Sequence, residues 1–390
     1  MRFARRTKSS ESSIFDLLIE HLKDPKMISF SGGFPAISLL PHEELKQATL
    51  TVFEKDKHHS LTYSSTWGYQ PLRELIAKRY QDNYQMDIKA EDILITTGSQ
   101  QALDLIGKVF LDPTDHILVE RPSYLVALQS FQQFEPTIHE VQLNENGMNV
   151  NMFRTYLKTY HPKLIYTVPN CQNPTGISYS SDVKKEMVEA MSPYDVVMIE
   201  DDPYGDLRFE GKAVDHFKKL APEQTILLGS FSKIIAPGLR IGWVVAPKEI
   251  LDNLYSAKEA CDLHSSNLDQ RLIYEYIQQN DLDKHIDEAK TLYKENQRIM
   301  LNAIKKYFPS NIHVAKSNGG MFLWCTGPSH LKVMDLFNKA IVLHVLIMPG
   351  NPFYTTNAET NTFRLNFTNV NKEQIEEGIA RLGALLKGMI

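Results

Sequence analysis

The side chains able to carry chemistry fall in seven short stretches between residues 63 and 364 of a 390-residue chain. The most telling is Gly-Ser-Phe-Ser-Lys at 229–233. Lys233 stands among Ser, Phe and Gly, outside any run of charge. A lysine withdrawn from water has a lowered pKa and can form a Schiff base. Arg240, seven residues on, could reach a phosphate; a surface lysine and a structural arginine would give the same stretch. Glu-Asp-Asp-Pro-Tyr at 200–204 closes an apolar run. Three adjacent carboxylates repel one another unless a cation compensates, either a metal or a protonated ring nitrogen. With no nearby His or further acidic ligand, the metal reading is the weaker. Thr-Thr-Gly-Ser-Gln-Gln at 96–101 follows a strand and opens a helix, aiming backbone N–H groups at an anion, with Ser99 adding a hydroxyl. An ordinary Ser-capped turn reads the same.

Three further stretches bear on a ligand. Tyr124, in Arg-Pro-Ser-Tyr, could lie over a planar ring or simply pack. Asn173, in Val-Pro-Asn-Cys-Gln-Asn-Pro-Thr-Gly at 168–176, could donate to a phenolate oxygen, although Asn-Pro-Thr-Gly is also a good turn sequence. Arg364, inside the apolar Thr-Phe-Arg-Leu-Asn-Phe-Thr, needs a buried anion: a substrate carboxylate held bidentately, or an internal salt bridge. Tyr63 carries no signal alone. Together these residues match what pyridoxal phosphate requires: a Schiff-base lysine (Lys233), an acid facing the ring nitrogen (Asp201), phosphate donors (the 98–101 turn, Ser230, Arg240) and a ring platform (Tyr124).

Several of these residues end apolar, β-branched runs: Ile93–Thr96, Ile117–Glu120, Leu164–Val168, Val196–Glu200, Thr225–Leu228 and Trp243–Ala246. Helical patterns at 99–110 and 181–191 separate some of them, which predicts an α/β domain with a mainly parallel sheet. Helices are also expected over 12–23, 42–55, 71–83 and 371–387, and over 269–306 with a break at its Asn-Asp. Shorter strand patterns beyond 310 predict a smaller α+β domain. The organisation expected is an N-terminal segment over 1–45, a large domain over 46–285 and a small one over 286–390.

Composition excludes other classes. Lys+Arg 42 against Asp+Glu 47 gives a net charge of −5, so no basic field invites nucleic acid or a membrane surface. Three scattered cysteines form no metal-ligand pattern and suit a reducing compartment. No stretch approaches the roughly 18 to 20 apolar residues of a membrane span. A cytoplasmic location is the expectation.

The stretches quoted above, with SGGFP, Y-x4-GYQPLR, GGMFLW and PGNPFY between or around them, resemble the fold-type I pyridoxal-phosphate aminotransferases of class I/II. The similarity runs from about Ser31 to the C-terminus and points to the kynurenine/2-aminoadipate aminotransferase group and the related effector domains of MocR-type regulators. The resemblance implies a mainly parallel seven-stranded sheet and a smaller α+β domain. It implies Lys233 as Schiff-base lysine and proton shuttle, Asp201 on the pyridinium nitrogen, Asn173 and Tyr204 on the ring oxygen, and Tyr124 stacked on the ring. It places the phosphate on Ser99, Gln100, Ser230, Ser232 and Arg240, with Tyr63 from a neighbouring subunit. The substrate carboxylate falls to Arg364, with Asn173 and Gly33. A homodimer with interfacial sites follows from Tyr63.

The reaction implied moves an amino group from an L-amino acid to a 2-oxo acid, 2-oxoglutarate by family association, in a ping-pong cycle. Members handling 2-aminoadipate can place an N-terminal arginine on its distal carboxylate. Here no arginine occurs between Arg6 and Arg73, and Phe15 stands near that position. An apolar or aromatic donor is therefore expected. A lyase or decarboxylase on the same fold is an alternative, against which Arg364 argues because it retains the carboxylate. A ligand sensor is another; only 27 residues precede Ile28, too few for a winged-helix DNA-binding domain.

Overall fold

The protein is described from a computed structural model, which places residues 4, 6, 14–211, 214–356 and 358–390. The expected helix start at residues 12 and 13 lies outside these; α1 spans Ile14–His21, followed by β1 (Ile28–Ser29), α2 (His42–Asp56) and α3 (Gln70–Tyr84). The next elements are β2 (Ile93–Thr96), α4 (Ser99–Phe110), β3 (His116–Arg121), α5 (Leu125–Gln132), β4 (Thr137–Asn144), β5 (Gly147–Met148) and α6 (Val150–Tyr160). They lead to β6 (Leu164–Thr167), α7 (Ser181–Met191), β7 (Val197–Asp201), α8 (Phe217–Leu220), β8 (Thr225–Ser230), β9 (Gly242–Val245), α9 (Lys248–Asp262) and α10 (Asn267–Gln279). The chain ends with α11 (Leu282–Tyr307), β10 (His313–Val314), β11 (Phe322–Thr326), α12 (Val333–Val342), β12 (Val345–Leu346), β13 (Met348–Pro349), β14 (Thr362–Asn366) and α13 (Lys372–Lys387).

The large sheet runs β2-β9-β8-β7-β6-β3-β4-β5. It holds the seven strands expected plus the two-residue β5 at its edge. Strands β8, β7, β6, β3 and β4 are parallel, and β9 runs against both of its neighbours, β2 and β8. The central strands are buried on both faces, every residue of β2, β6, β8 and β9 being enclosed. This is why they read as continuous apolar runs rather than alternating ones. Burying a Leu or Ile such as Ile226 or Leu228 contributes roughly 1.5–3 kcal/mol, so β8 is held firmly while its C-terminal Ser230 reaches the sheet edge. Because β2, β3, β6, β7 and β8 share one direction, their C-terminal ends open on one side.

The second sheet is antiparallel, ordered β10-β11-β14-β13, with α12 against β13, while α11 and α13 pack on each other. The Asn-Asp break falls as expected: Asp281 caps α11 by accepting from the Lys284 backbone N–H, so α10 ends and a new helix starts. β1 pairs in parallel with β12 as a separate two-stranded sheet, and the Asn366 backbone N–H of β14 donates to the Phe30 carbonyl, which ties this N-terminal segment to the C-terminal part of the chain.

Candidate active site

A cavity of about 310 Å³ opens at these strand ends, between the large sheet and β14. Its lining contains twelve of the thirteen residues singled out from sequence: Gly33, Ser99, Gln100, Tyr124, Asn173, Asp201, Tyr204, Ser230, Ser232, Lys233, Arg240 and Arg364. The thirteenth, Tyr63, stands apart, 85% exposed, its ring edge-on to His264 at 5.8 Å.

The three adjacent carboxylates diverge because successive side chains of a strand point to opposite faces. Asp201 faces the cavity. Glu200, on the far side, accepts from the Lys218 backbone N–H at 2.9 Å and lies 3.2 Å from His216 Nδ1 and 3.7 Å from Lys184 Nζ. Burial alone would raise its pKa, but His216 and Lys184 hold it at about 2. Asp202 accepts from Asn170 Nδ2 at 3.0 Å, outside the cavity. The repulsion visible in the sequence is thus relieved by His216 and Lys184 behind the sheet.

Asp201 is buried, and one oxygen, Oδ2, accepts from Tyr166 Oη at 2.8 Å. Its Oδ1 has no hydrogen-bond partner among the described residues. Burial pushes the carboxyl up to about 7, with Asp202 and Glu120 raising it and Tyr166 and Lys233 opposing. A buried acceptor lacking a donor fits a cationic N–H presented by a ligand. In the chain without such a ligand the sign is fixed. Between pH 3.8 and about 7 the native state binds a proton the unfolded state does not, so stability falls as pH rises. Urea unfolding of the cofactor-free protein is expected to show this loss, on the order of 1–3 kcal/mol, and Asp201→Asn should flatten it.

Lys233 Nζ donates to the Gly33 carbonyl at 2.8 Å. Burial pushes its pKa down to about 8, helped by the nearby Arg364 and Arg240 guanidinium groups and opposed by Asp201. A substantial neutral fraction near neutrality is what an amine nucleophile requires. Arg240, in the left-handed region at φ 53°, lays its guanidinium against the turn before α4. A Cβ at Gly98 (φ 76°) would lie 2.5 Å from Arg240 Nη2, so only glycine leaves this approach open. Arg240, Ser230, Ser232 and the N-terminus of the 12-residue α4 line the same end of the cavity, a donor set that could hold an anion such as phosphate.

Arg364 occupies the middle of β14, opposite Trp324 and Met348. It donates to Asn173 Oδ1 at 2.7 Å and to the Ser31 carbonyl at 2.6 Å, with its guanidinium 4.1 Å from the Phe322 ring. Burial lowers its pKa to about 10. Among the described residues no carboxylate lies within ion-pair distance, so the internal salt bridge is not the explanation for this buried charge. Asn173 also approaches Tyr204 Oη at 3.4 Å.

Sequence reading does not single out Tyr166, Glu120 or Gln172, which hold these groups in place. Gln172 Nε2 donates to Glu120 Oε2 and to the Pro122 carbonyl, both at 2.9 Å. Its Oε1 accepts from Thr175 N–H and Oγ1–H, closing the loop that presents Asn173. Glu120 further accepts from Thr167, Tyr179 and the Val168 backbone. The one available signal was a glutamate ending an apolar strand, which by itself has many explanations.

A buried lysine of lowered pKa, a buried acid whose free oxygen lacks a donor, a cluster of hydroxyl, guanidinium and helix N-terminal donors and a buried guanidinium without a carboxylate, gathered at the strand ends of this mixed sheet, fit a pyridoxal-phosphate enzyme of fold type I. The chain belongs to the class I and II aminotransferases, whose family pattern matches residues 25–382. It is 38% identical over 391 residues to aromatic-amino-acid aminotransferase 1 of Thermococcus litoralis, covering 99% of this chain and 94% of that protein. Kynurenine aminotransferase of Pyrococcus horikoshii, solved with pyridoxamine phosphate (PMP), kynurenine (KYN) and the product KYA, superposes with a TM-score of 0.94 at 38% identity. That match covers 99% of this chain and 97% of the other. The α-aminoadipate aminotransferase of Thermus thermophilus, solved with N-(5'-phosphopyridoxyl)-L-leucine, gives 0.93 at 34%, covering 99% and 97%. The protein is accordingly an aminotransferase that uses pyridoxal phosphate. Among the described residues no helix is long and apolar enough to cross a membrane.

Proposed function

We propose that this aminotransferase takes its amino group from an L-amino acid with an apolar or aromatic side chain and passes it to a 2-oxo acid, 2-oxoglutarate being the acceptor. The observation that carries the donor class is the outer wall of the cavity. Leu18 and Ile19 of α1 and Leu22 just beyond its end line it together with Phe34. Among the described residues the cations on the lining are Lys233, Arg240 and Arg364, which this reading gives to the cofactor and the α-carboxylate, so a distal donor carboxylate would meet apolar surface. Phe15 lies in α1, but its side chain is outside the described residues. The names of the Thermococcus and Pyrococcus relatives agree with an aromatic donor, whereas the Thermus relative acts on α-aminoadipate.

When bound, pyridoxal phosphate supplies an electron sink for the carbanion at the substrate Cα. Asp201 would keep the ring nitrogen protonated. Asn173 and Tyr204 would hold the ring oxygen, Tyr124 would cover the ring face, and Ser99, Gln100, Ser230, Ser232 and Arg240 would hold the phosphate. Arg364, with Asn173 and Gly33, would fix the substrate carboxylate and so aim the Cα–H bond at Lys233. Lys233 would act as the base that takes and returns the proton at the substrate Cα. Exposed Tyr63 would complete the phosphate site of a second copy, which makes the working unit a homodimer.

The test is the first half-reaction, run without any oxo acid. Leucine, phenylalanine and methionine are expected to bleach the yellow lysine-linked cofactor at least roughly tenfold more efficiently than 2-aminoadipate, since leaving a carboxylate without a partner costs several kcal/mol. Addition of 2-oxoglutarate should restore the colour. A preference for 2-aminoadipate would overturn the donor assignment.

A further inference from the structure

We infer that Tyr166 is a positioning residue that orients Asp201 and, by donating a hydrogen bond to it, sets how strongly the cofactor ring is polarised. The inference rests on the role proposed for Asp201. Tyr166 lies on β6 and Asp201 at the end of β7, neighbouring parallel strands. The Tyr166 hydroxyl donates to Oδ2 at 2.8 Å, while Oδ1, of the same carboxyl group, is left without a partner. The two oxygens thus have separate tasks, one anchored by the protein and one offered to the cavity.

Tyr166 is itself immobilised. It is 1% exposed, and the Phe131 ring lies edge-on at 5.6 Å. The anchor therefore fixes the carboxylate plane relative to the sheet instead of following it. The other charged or titratable groups acting on Asp201 are Asp202 beside it, Glu120 from β3 and Lys233 beyond β8; Tyr124 and Tyr204 also line the cavity. Among the described residues Tyr166 is the one whose side chain hydrogen-bonds to the carboxylate.

The electrostatic consequence has a definite sign. A carboxylate deprived of one donor is a stronger base and draws a shared proton toward itself. The positive charge felt across the ring then weakens, and the Lys233 nitrogen joined to the cofactor becomes more basic. In holoenzyme carrying Tyr166→Phe, the pH at which the yellow protonated band is lost should rise, by roughly half a unit or more. 3-Fluorotyrosine at position 166 keeps the packing and donates more strongly, so it should move the midpoint the other way.

The experiment is a spectral pH titration of the holoenzyme without substrate, so it does not depend on the donor class. It compares the wild type, Tyr166→Phe, the fluorotyrosine protein, Asp201→Asn and the double variant Tyr166→Phe/Asp201→Asn. The expected result is opposite shifts for the first two substitutions and no added shift from Tyr166→Phe once Asp201 is asparagine. A Tyr166→Phe midpoint equal to wild type, or an equal shift in the asparagine background, overturns the inference. If Tyr166→Phe takes up no cofactor, the fluorotyrosine titration decides alone, an unchanged midpoint being the negative result. An unshifted Asp201→Asn would instead remove the proposed role of Asp201, a separate failure.

Discussion

Lys233→Ala is expected to lose the yellow lysine-linked band and to slow transamination by roughly 10,000-fold, the upper range for a positioned proton-transfer group. The expectation follows from the surroundings of Nζ. Burial and two guanidinium groups bring its pKa down to about 8, and its hydrogen bond is to a neutral carbonyl, that of Gly33. Among the described residues it has no carboxylate ion pair that would keep it protonated. Among the described residues no other amine lines the cavity, so none of these neighbours can take over the proton transfer. The check is a rapid-mixing assay with the best donor, alongside the spectrum. Retention of turnover within tenfold of wild type would show that the proton moves by another route. Small added amines should restore part of the rate in Lys233→Ala, because they enter the space the side chain vacates and supply the missing base.

Arg364→Lys should reduce kcat/KM for amino acids roughly 100- to 1,000-fold, the range for losing a bidentate charge-assisted pair. The guanidinium is fixed by Asn173 Oδ1, the Ser31 carbonyl and the Phe322 face, and its Nε has no partner among the described residues. A planar fork held this way presents parallel donors to a carboxylate, which an ammonium does not reproduce. The same change should matter little for an amine without an α-carboxylate. Comparing an amino acid with its decarboxylated amine therefore separates carboxylate recognition from general damage. Equal losses for both would assign Arg364 a structural role.

The set of parts and their order is written in the amino-acid sequence. Lys233, Asp201, Asn173 and the 96–101 turn were legible because each follows a run of buried β-branched residues, and such runs place their ends at a sheet edge. The helices at 99–110 and 181–191 were legible to the residue, because their apolar stripes begin and end at clear polarity changes. β4 was not, since Glu140 beside Val141 breaks its alternation and its outer residues are exposed near the sheet edge.

The tertiary structure decided the partners. Alternation along β7 says that Asp201 faces away from Glu200 and Asp202, but only the packing of the sheet says which face holds the cavity. His216 and Lys184, which relieve Glu200, lie 16 residues away in either direction, so no local pattern links them to it. Arg364 lies 191 residues from Asn173 and 333 from Ser31. Its lack of a carboxylate is a property of the assembled interior. Tyr166 reads as one more residue of a buried strand until β6 is set beside β7, because a hydrogen bond between neighbouring strands depends on register, and register is fixed by the whole sheet.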